Sequence, residues 1–187
     1  MKFYYYYSAM NAGKTTSLLQ SAYNYQERGM KTLLLIPAVV GKTRIESRIG
    51  LSSDAMVWDA DTFDASLLRG ISCVFVDEAQ FLTKAQVTFL ASVVDISDIP
   101  VQAYGLRTDF KGEPFEGSKY LLAWADEINE IKTICSCSKK ATMNIRIGAD
   151  GKRIDEARKF KLGVKNLIFQ FVGRIFLGAV CDEFRKT

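Results

Sequence analysis

The chain has 187 residues, 48% of them hydrophobic and 25% charged, which is the balance of an ordinary globular protein. Its net charge of +4 is too weak to indicate a nucleic-acid partner. No apolar run reaches the roughly 18 residues that span a bilayer and no export signal is visible, so we expect a cytoplasmic protein without a membrane partner. Histidine is absent, which excludes a Ser-His-Asp triad, a Cys-His pair and histidine-ligated zinc; any general base is expected to be a carboxylate, with Lys, Tyr or Cys as weaker candidates.

Buried strands alternate with amphipathic helices in the first third of the chain. The pattern predicts strands at 3–7, 31–37 and 55–58 and helices at 15–28 and 63–68, with a polar segment at 38–53. In the first of these helices, Leu18, Ala22 and Tyr25 fall on one face at helical spacing, and Gly29 ends the helix.

The same alternation continues to residue 134. It predicts strands at 73–76, 101–104 and 130–134, a helix from Thr83 as N-cap to Val94, a glycine-rich loop at 105–117 and a helix at 120–125. Apolar strands that alternate with helices are typical of a parallel sheet covered on both faces, so we predict an α/β fold. The pattern changes at Cys135, where C-S-C precedes two β-like stretches around a turn at 149–152. We therefore predict two units, an α/β domain at 1–134 and a small β module at 135–187.

Residues 8–15, S-A-M-N-A-G-K-T, lie between the first strand and the first helix. They match the phosphate-binding pattern G-x-x-x-x-G-K-[ST], except that Ser8 replaces the first glycine. In that pattern Gly13 allows backbone N–H groups to approach phosphates, Lys14 neutralises charge, and the Thr15 hydroxyl coordinates Mg²⁺. The alternative is a structural turn that matches by chance, but the strand before and the helix after favour nucleotide binding. The residues predicted to hold the nucleotide are Ser8, Ala9, Met10, Asn11, Ala12, Gly13, Lys14 and Thr15.

Two acids, Asp77 and Glu78, follow the apolar strand at 73–76. Because ligands bind at the carboxyl ends of strands in such sheets, Asp77 is predicted to meet Mg²⁺ through water. Glu78 can then accept a proton from a water, in an NTP hydrolase, or from a substrate hydroxyl, in a kinase. The alternative is that both acids only complement a helix N-terminus. Gln80, in the same motif, is included among the predicted nucleotide-binding residues.

These motifs resemble the type II thymidine kinases, specifically their bacterial and phage branch. Residues 8–30 match that branch, including its serine in place of the first glycine. Further matches follow in order: S-R-I-G-L (47–51), V-F-V-D-E-A-Q-F-L (74–82), I-P-V-Q-A-Y-G-L-R-T-D-F (99–110), F-E-G-S-K-Y-L-L-A (115–123) and K-T-I-C-S-C-S-K-K-A (132–141). The resemblance covers most of residues 3–141, and such a series is more specific than any single motif.

The resemblance implies ATP-dependent phosphorylation of the thymidine 5′-hydroxyl, with deoxyuridine as another acceptor. It implies a RecA-like P-loop domain, a small zinc-ribbon-like module that carries the substrate loop, and a homotetramer. Glu78 resembles the catalytic base, with Lys14 and Arg48 beside the transferred phosphate. Asp77 and Thr15 resemble the magnesium partners. The residues implied to enclose the nucleoside are Met10, Phe110 and Phe115, where stacking on the base would need no charge, although ordinary core packing is the alternative for the two phenylalanines.

The predicted zinc site departs from the family pattern. This branch supplies its ligands as C-x-C followed by C-x-x-H. The matching positions here are Cys135, Cys137 and Cys181, with Phe184 in place of the histidine. Because tetrahedral zinc requires four ligands, we expect either no zinc or weaker binding completed by a neighbouring carboxylate or water. Residues 142–187 also diverge, which leaves the nucleoside preference open.

Two other functions are alternatives at this point. D-E-A-Q also resembles the D-E-A-x box of helicases, so a P-loop ATPase could use Glu78 to activate water, although such helicases need two domains and 187 residues supply one. The divergence after residue 141 also allows a nucleotide-binding protein without catalysis. ADP release that is stimulated by DNA but does not depend on thymidine would indicate the helicase-like ATPase.

Overall fold

A six-stranded parallel sheet is the centre of the described part of the chain, which comprises residues 1–59, 63–135, 138–146 and 168–171 of a computed structural model. The strands are β1 (Phe3–Ser8), β2 (Lys31–Pro37), β3 (Arg44–Glu46), β4 (Ser52–Asp54), β5 (Met56–Trp58), β6 (Ile71–Val76), β7 (Val101–Leu106), β8 (Glu127–Glu130), β9 (Met143–Arg146) and β10 (Ile168–Phe171). The helices are α1 (Lys14–Gln26), α2 (Lys84–Ser97) and α3 (Glu116–Trp124), and 3₁₀ turns occur at Ala38–Val40, Ala65–Leu68 and Ala79–Phe81. The sheet order is β5-β2-β6-β7-β1-β8, and each neighbouring pair is parallel. The predicted α/β class with a parallel sheet is confirmed.

Helices cover both faces of this sheet. Phe75 belongs to the same core cluster as Leu18 of α1, whereas its chain neighbour Val76 belongs to the cluster of Leu90 in α2 and Leu121 in α3. Since successive residues of a strand face opposite sides, α1 lies on one face and the other two helices on the other. Burial of each such side chain stabilises the fold by roughly 1.5–3 kcal/mol.

Helix α2 begins with the N-cap predicted from the sequence. The Thr83 hydroxyl accepts from the Gln86 backbone N–H at 3.2 Å, and the Gln86 side-chain oxygen accepts from the Thr83 N–H at 2.9 Å. This capping box satisfies two donors that would otherwise have no partner. The helix extends to Ser97, beyond the predicted end at Val94. None of the described helices combines the length and apolar character needed to cross a bilayer.

Helix α3 begins at Glu116, four residues before the predicted start at Tyr120. The sequence pattern was misleading because Gly117 and Ser118 are typical of loops. In the fold both lie on the buried face of α3. A Cβ on Gly117 would lie 2.6 Å from the carbonyl oxygen of Ala79, so only glycine allows the helix this close to the 79–82 segment. The Ser118 hydroxyl donates to the carbonyl of Leu106 at 2.6 Å.

The predicted strand at 130–134 is wrong in its bounds. The sixth strand of the sheet is β8, at Glu127–Glu130, and it pairs with β1 from Tyr4 to Tyr7. Ile134 instead forms an isolated bridge with Lys140 and is 70% exposed. The charged residues of β8 concealed it in the sequence, and they are tolerated because β8 is an edge strand.

The polar segment 38–53 contains a small hairpin that sequence patterning did not predict. Strands β3 and β4 pair antiparallel, with Arg44 opposite Asp54. The hairpin is anchored by Ile45, which is 1% exposed. Its turn carries Arg48 towards the start of α1, where the functional site is built.

A second, separate pairing joins β9 and β10 in antiparallel register. It agrees with the two β-like stretches predicted in this part of the chain. The turn predicted between them at 149–152 lies outside the described residues. The zinc-ribbon-like character of the module and the boundary at 134/135 therefore stay predictions.

Candidate active site

The phosphate-loop motif and the acid pair meet at the carboxyl edge of the sheet. Strand β7 lies between β1 and β6, with Ser8 opposite Leu106 and Val76 opposite Ala103. The loops that follow β1 and β6 therefore flank the end of β7. A direct contact joins them, because the Thr15 hydroxyl donates to Asp77 Oδ2 at 3.1 Å.

The backbone of the loop is shaped to receive an anion. Asn11 and Gly13 adopt positive φ angles of 64° and 82°, which turn the chain sharply before α1. The N-cap of α1 is Gly13, and no side chain caps the first turn. The first amide groups of the helix, together with its dipole, are the groups that bind phosphates at helix N-termini.

Lys14 is folded back over this loop. Its Nζ donates to the Ser8 hydroxyl and to the Ala9 carbonyl, each at 3.0 Å. Burial lowers the pKa of Lys14, and the nearby carboxylates of Glu78 and Asp77 oppose that shift. Ser8 therefore supplies a neutral partner to the lysine, which an anionic phosphate could replace with a stronger, charge-assisted bond.

Asp77 carries a buried oxygen without a partner among the described residues. The residue is 4% exposed, and Oδ1 forms no hydrogen bond there. Burial, followed by the charge of Glu78, raises the pKa of Asp77 to about 6. A carboxylate held in this way, with a threonine hydroxyl at 3.1 Å, provides the hard oxygen donors that Mg²⁺ prefers. The donor set therefore fits a magnesium ion.

Glu78 follows Asp77 in a left-handed conformation, with φ of 51°. Its Oε2 accepts a hydrogen bond from Gln80 Nε2 at 2.6 Å. Gln80 itself is 1% exposed, and its Oε1 accepts from the Leu106 N–H at 3.0 Å. Glu78 is half-buried and lines the cavity, whereas Gln80 lies behind it.

A cavity of about 450 Å³ opens above these groups. Its lining combines the phosphate loop, the turn around Arg48, and Glu78 with Phe81 and Leu106. The predicted site residues on this wall are Met10, Asn11, Ala12, Gly13, Lys14, Thr15, Arg48 and Glu78. Lys42 also lines the cavity and was not predicted, because it lies in the polar segment without a motif.

Of the residues predicted to enclose the nucleoside, Met10 lines this cavity, whereas Phe110 and Phe115 do not, and Phe115 lines a separate cavity with Asp109, Glu113 and Tyr120. Phe115 meets the cavity residue Phe81 edge-to-face, with ring centroids 5.6 Å apart. Phe110 is 8% exposed and lies beneath the Arg146 guanidinium, 5.8 Å from its ring centroid. Sequence analysis missed Phe81, although it stands inside the matched stretch at 74–82 and could have been found there.

Strand β9 contacts the phosphate loop directly. Asn144 is 5% exposed, and its Oδ1 accepts from the Met10 backbone N–H at 2.8 Å. Arg107, at the end of β7, lies over the Tyr7 ring at 5.2 Å. This link between the C-terminal segment and the loop had no signal in the sequence, since Asn144 belongs to no motif.

The predicted zinc site is only partly described. Cys135 is 3% exposed and clusters with Ala9 and Ala141. Cys137, Cys181 and Phe184 lie outside the described residues. Within residues 1–59, 63–135, 138–146 and 168–171, no group of three or more potential metal ligands is found. Zinc binding therefore stays a prediction.

The comparisons with known proteins agree with this geometry. A family model described as thymidine kinase matches residues 1–162. The chain belongs to the thymidine kinase family. A thymidine kinase of Coxiella burnetii is 56% identical over 87% of this chain and 88% of its own. A thymidine kinase of Shewanella oneidensis is 52% identical over 86% of this chain and 88% of its own. A thymidine kinase of Photorhabdus laumondii is 49% identical over 98% of this chain and 96% of its own.

These matches confirm the family that the sequence motifs indicated and the enzyme class, an ATP-dependent deoxynucleoside kinase. They extend over the phosphate loop, the acid pair and the aromatic residues described above. The catalytic roles of individual residues and the binding of magnesium and zinc are proposals, which we argue from the geometry of the site.

Proposed function

We propose that this chain transfers the γ-phosphate of ATP to the 5′-hydroxyl of thymidine, giving thymidine monophosphate, with deoxyuridine as a second acceptor. The observation that carries the proposal is that Thr15 and Glu78 line one cavity, while the buried Asp77 accepts a hydrogen bond from the Thr15 hydroxyl at 3.1 Å. Family membership supplies the reaction class.

The phosphate loop binds the triphosphate. Its backbone amides and the α1 N-terminus meet the phosphate oxygens, and Lys14 exchanges its bonds to Ser8 and Ala9 for bonds to the β- and γ-phosphates. Thr15 and Asp77 would hold Mg²⁺, and the partnerless Asp77 Oδ1 supports that assignment. When bound, the ion neutralises charge on the β- and γ-phosphates.

Glu78 acts on the acceptor. It receives the proton of the 5′-hydroxyl as that oxygen bonds to the γ-phosphorus. The bond between the γ-phosphorus and the bridging oxygen of ADP breaks, and ADP leaves. Phosphoryl transfer has a loose transition state, so an oriented oxygen matters more than a strong base. Arg48, on the same cavity wall, is placed to stabilise the transferred charge.

The aromatic side receives the nucleoside. Met10 and Phe81 line the cavity, Phe115 contacts Phe81, and Phe110 is buried beneath Arg146 of β9. Flat rings offer stacking energy to a base without a need for charge. The predicted zinc-ribbon-like module at 135–187 would complete this side, and the Asn144–Met10 bond supports that role.

The larger context follows from the family. We propose a homotetramer that works in the cytoplasm, where ATP is the phosphate donor and nucleosides are the small-molecule partners. At Cys135, Cys137 and Cys181 we expect either no zinc or weak binding, because Phe184 stands at the position of the fourth ligand.

The proposal is tested with labelled ATP and a panel of nucleosides. Thymidine is expected to gain the label, and Glu78→Gln is expected to lower turnover by about 10²- to 10⁴-fold while ATP binding is retained. ADP release that is independent of nucleoside would indicate a hydrolase instead. Equal inactivity of wild type and variant on every nucleoside would indicate a binding protein.

A further inference from the structure

Gln80 is a buried side chain that joins the catalytic carboxylate to the sheet. At 1% exposure, it offers no surface to a nucleotide in the cavity. Both ends of its amide are used by the protein: Nε2 donates to Glu78 Oε2 at 2.6 Å, and Oε1 accepts from the Leu106 N–H at 3.0 Å. The geometry thus assigns Gln80 a different role from the nucleotide contact predicted from the sequence.

The far end of this link is a rigid point of the fold. The carbonyl of Leu106 accepts hydrogen bonds from the Ser118 hydroxyl at 2.6 Å and from the Tyr5 hydroxyl at 2.8 Å. Ser118 and Tyr5 are both fully buried. The backbone of Leu106 is therefore bonded at both its N–H and its carbonyl, and Gln80 links this fixed residue to Glu78.

Gly105 shows how closely Gln80 is confined. A Cβ at position 105 would lie 2.8 Å from Gln80 Oε1 and 2.9 Å from the Gln80 backbone nitrogen. Contacts this short are not tolerated in a packed interior. Glycine is therefore required at this position for the amide to occupy its place behind Glu78.

The link answers a need of the reaction. Glu78 has a flexible side chain on a backbone with positive φ, and an unrestrained carboxylate would sample several rotamers. Lys14, Asp77 and Arg48 are charged groups near this point. Asp77 interacts with the Glu78 backbone, and among the bonds found in the described residues none of the three side chains donates to the Glu78 carboxylate. The 2.6 Å bond from Gln80 is the contact that orients it.

We propose that Gln80 is a positioning residue for phosphoryl transfer: it holds Oε2 of Glu78 and leaves Oε1 to accept the proton of the incoming 5′-hydroxyl. The inference rests on the proposed role of Glu78 as general base. The proton moves to Oε1 as the new O–P bond forms, and the bond to the leaving ADP oxygen breaks. Gln80 itself exchanges no proton.

The first test is Gln80→Leu, which removes the donor at nearly constant volume. Loss of one hydrogen bond to a charged group predicts a fall in kcat of about 10- to 100-fold, while KM for ATP and for thymidine stays within about 2-fold. A raised KM with unchanged kcat would overturn the inference, because it would place Gln80 in binding.

A double variant separates positioning from general damage. In a Glu78→Gln background there is no base left to orient, so adding Gln80→Leu is expected to cause no further loss of kcat. If the second change lowers the residual activity by the same factor as in wild type, Gln80 has only a structural role and the inference fails.

Three more variants complete the test. Gln80→Met keeps the length of the side chain but removes the amide donor, so it should lose kcat as Gln80→Leu does. Gly105→Ala should reproduce the loss by displacing the amide. Gln86→Leu is the matched control, since this buried capping glutamine is remote from the base; it should lower the unfolding temperature without changing kcat.

The outcomes also separate this inference from the proposed function. Wild-type kcat in Gln80→Leu would refute positioning and leave Glu78 as the base. Full turnover in Glu78→Gln would instead show that Glu78 is not the general base, whatever the Gln80 variants show.

Discussion

The phosphate side and the nucleoside side of the cavity are built in different ways. On the phosphate side, polar groups come from two short stretches, 8–15 and 77–80, and contact one another directly. On the proposed nucleoside side, Phe81 lines the cavity, Phe115 contacts Phe81 from another segment, and the loop is tied to β9 through Asn144. Phosphate chemistry is thus encoded locally, whereas the nucleoside wall depends on how distant segments pack.

The difference teaches which changes each side tolerates. A triphosphate has the same charge in every kinase, so its site needs fixed amides, a lysine and acids at set spacing. A nucleoside is distinguished by shape and by a few edges, so its site is set by packing and can change with substitutions far apart in the chain. We expect substitutions on the first side to affect kcat and those on the second to affect KM for the nucleoside.

Asp77→Asn is expected to have the largest effect on activity. Loss of the carboxylate that we propose to hold Mg²⁺ should lower kcat/KM by about 10³-fold, in keeping with the several kcal/mol that such an ion contributes. The same change should stabilise the metal-free protein at neutral pH, because it removes a buried charge with a partnerless oxygen. Enzyme kinetics and thermal unfolding measure the two effects.

The pH dependence of that stabilisation has a definite sign. The folded pKa of Asp77 is raised from 3.8 to about 6, so the folded wild type holds its proton more tightly and loses stability as the pH rises through that window. The gain from Asp77→Asn should therefore be absent below pH 3.8, grow to about pH 6 and then stay constant. Asp109→Asn is the control. The Asp109 carboxylate accepts hydrogen bonds from the backbone N–H groups of Lys111 and Glu113, so this variant should be less stable than wild type. A loss of stability in Asp77→Asn at neutral pH would contradict the expectation.

Phe115→Leu tests the nucleoside side. Loss of a ring that contacts Phe81 should raise KM for thymidine by about 5- to 100-fold, since base stacking contributes roughly 1–3 kcal/mol. KM for ATP should not change. Phe89→Leu is the matched control, because Phe89 packs against Trp58 and Phe63 away from the cavity. An equal rise of KM for both substrates in Phe115→Leu would show that the two sides are not separable.

Asn144→Leu addresses the contact between the two sides and should have the smallest effect. It leaves the Met10 N–H without its acceptor, and the loss of one such bond predicts a fall in kcat/KM of about 3- to 10-fold. Asn24→Leu makes the same substitution on the exposed side of α1, where Asn24 accepts from Gln20, and should change nothing. If both variants behave alike, β9 has no influence on the loop.

The sequence analysis was most accurate where one segment determined the outcome. The strand at 31–37, the cap at Thr83 and the loop from Ser8 to Thr15 were predicted because their pattern or motif lies within a few residues. It failed where a distant partner decided. The pattern puts Gly117 in a loop and leaves Ser118 outside the helix, because nothing nearby in the sequence shows that Ala79 and Leu106 pack against them. Gln80 was assigned to the nucleotide for the same reason.

By itself, the sequence determined the parallel α/β class, the phosphate-binding loop and the family, since strand periodicity and short motifs are local properties. Only the tertiary structure showed that Gln80 holds Glu78, that Asp77 Oδ1 lacks a partner and that Asn144 reaches Met10. The two hydrogen bonds join residues 2 and 134 positions apart, and all three features depend on orientation and burial. Side-chain orientation and burial are defined only after the chain has packed, so the local sequence pattern could not predict these contacts.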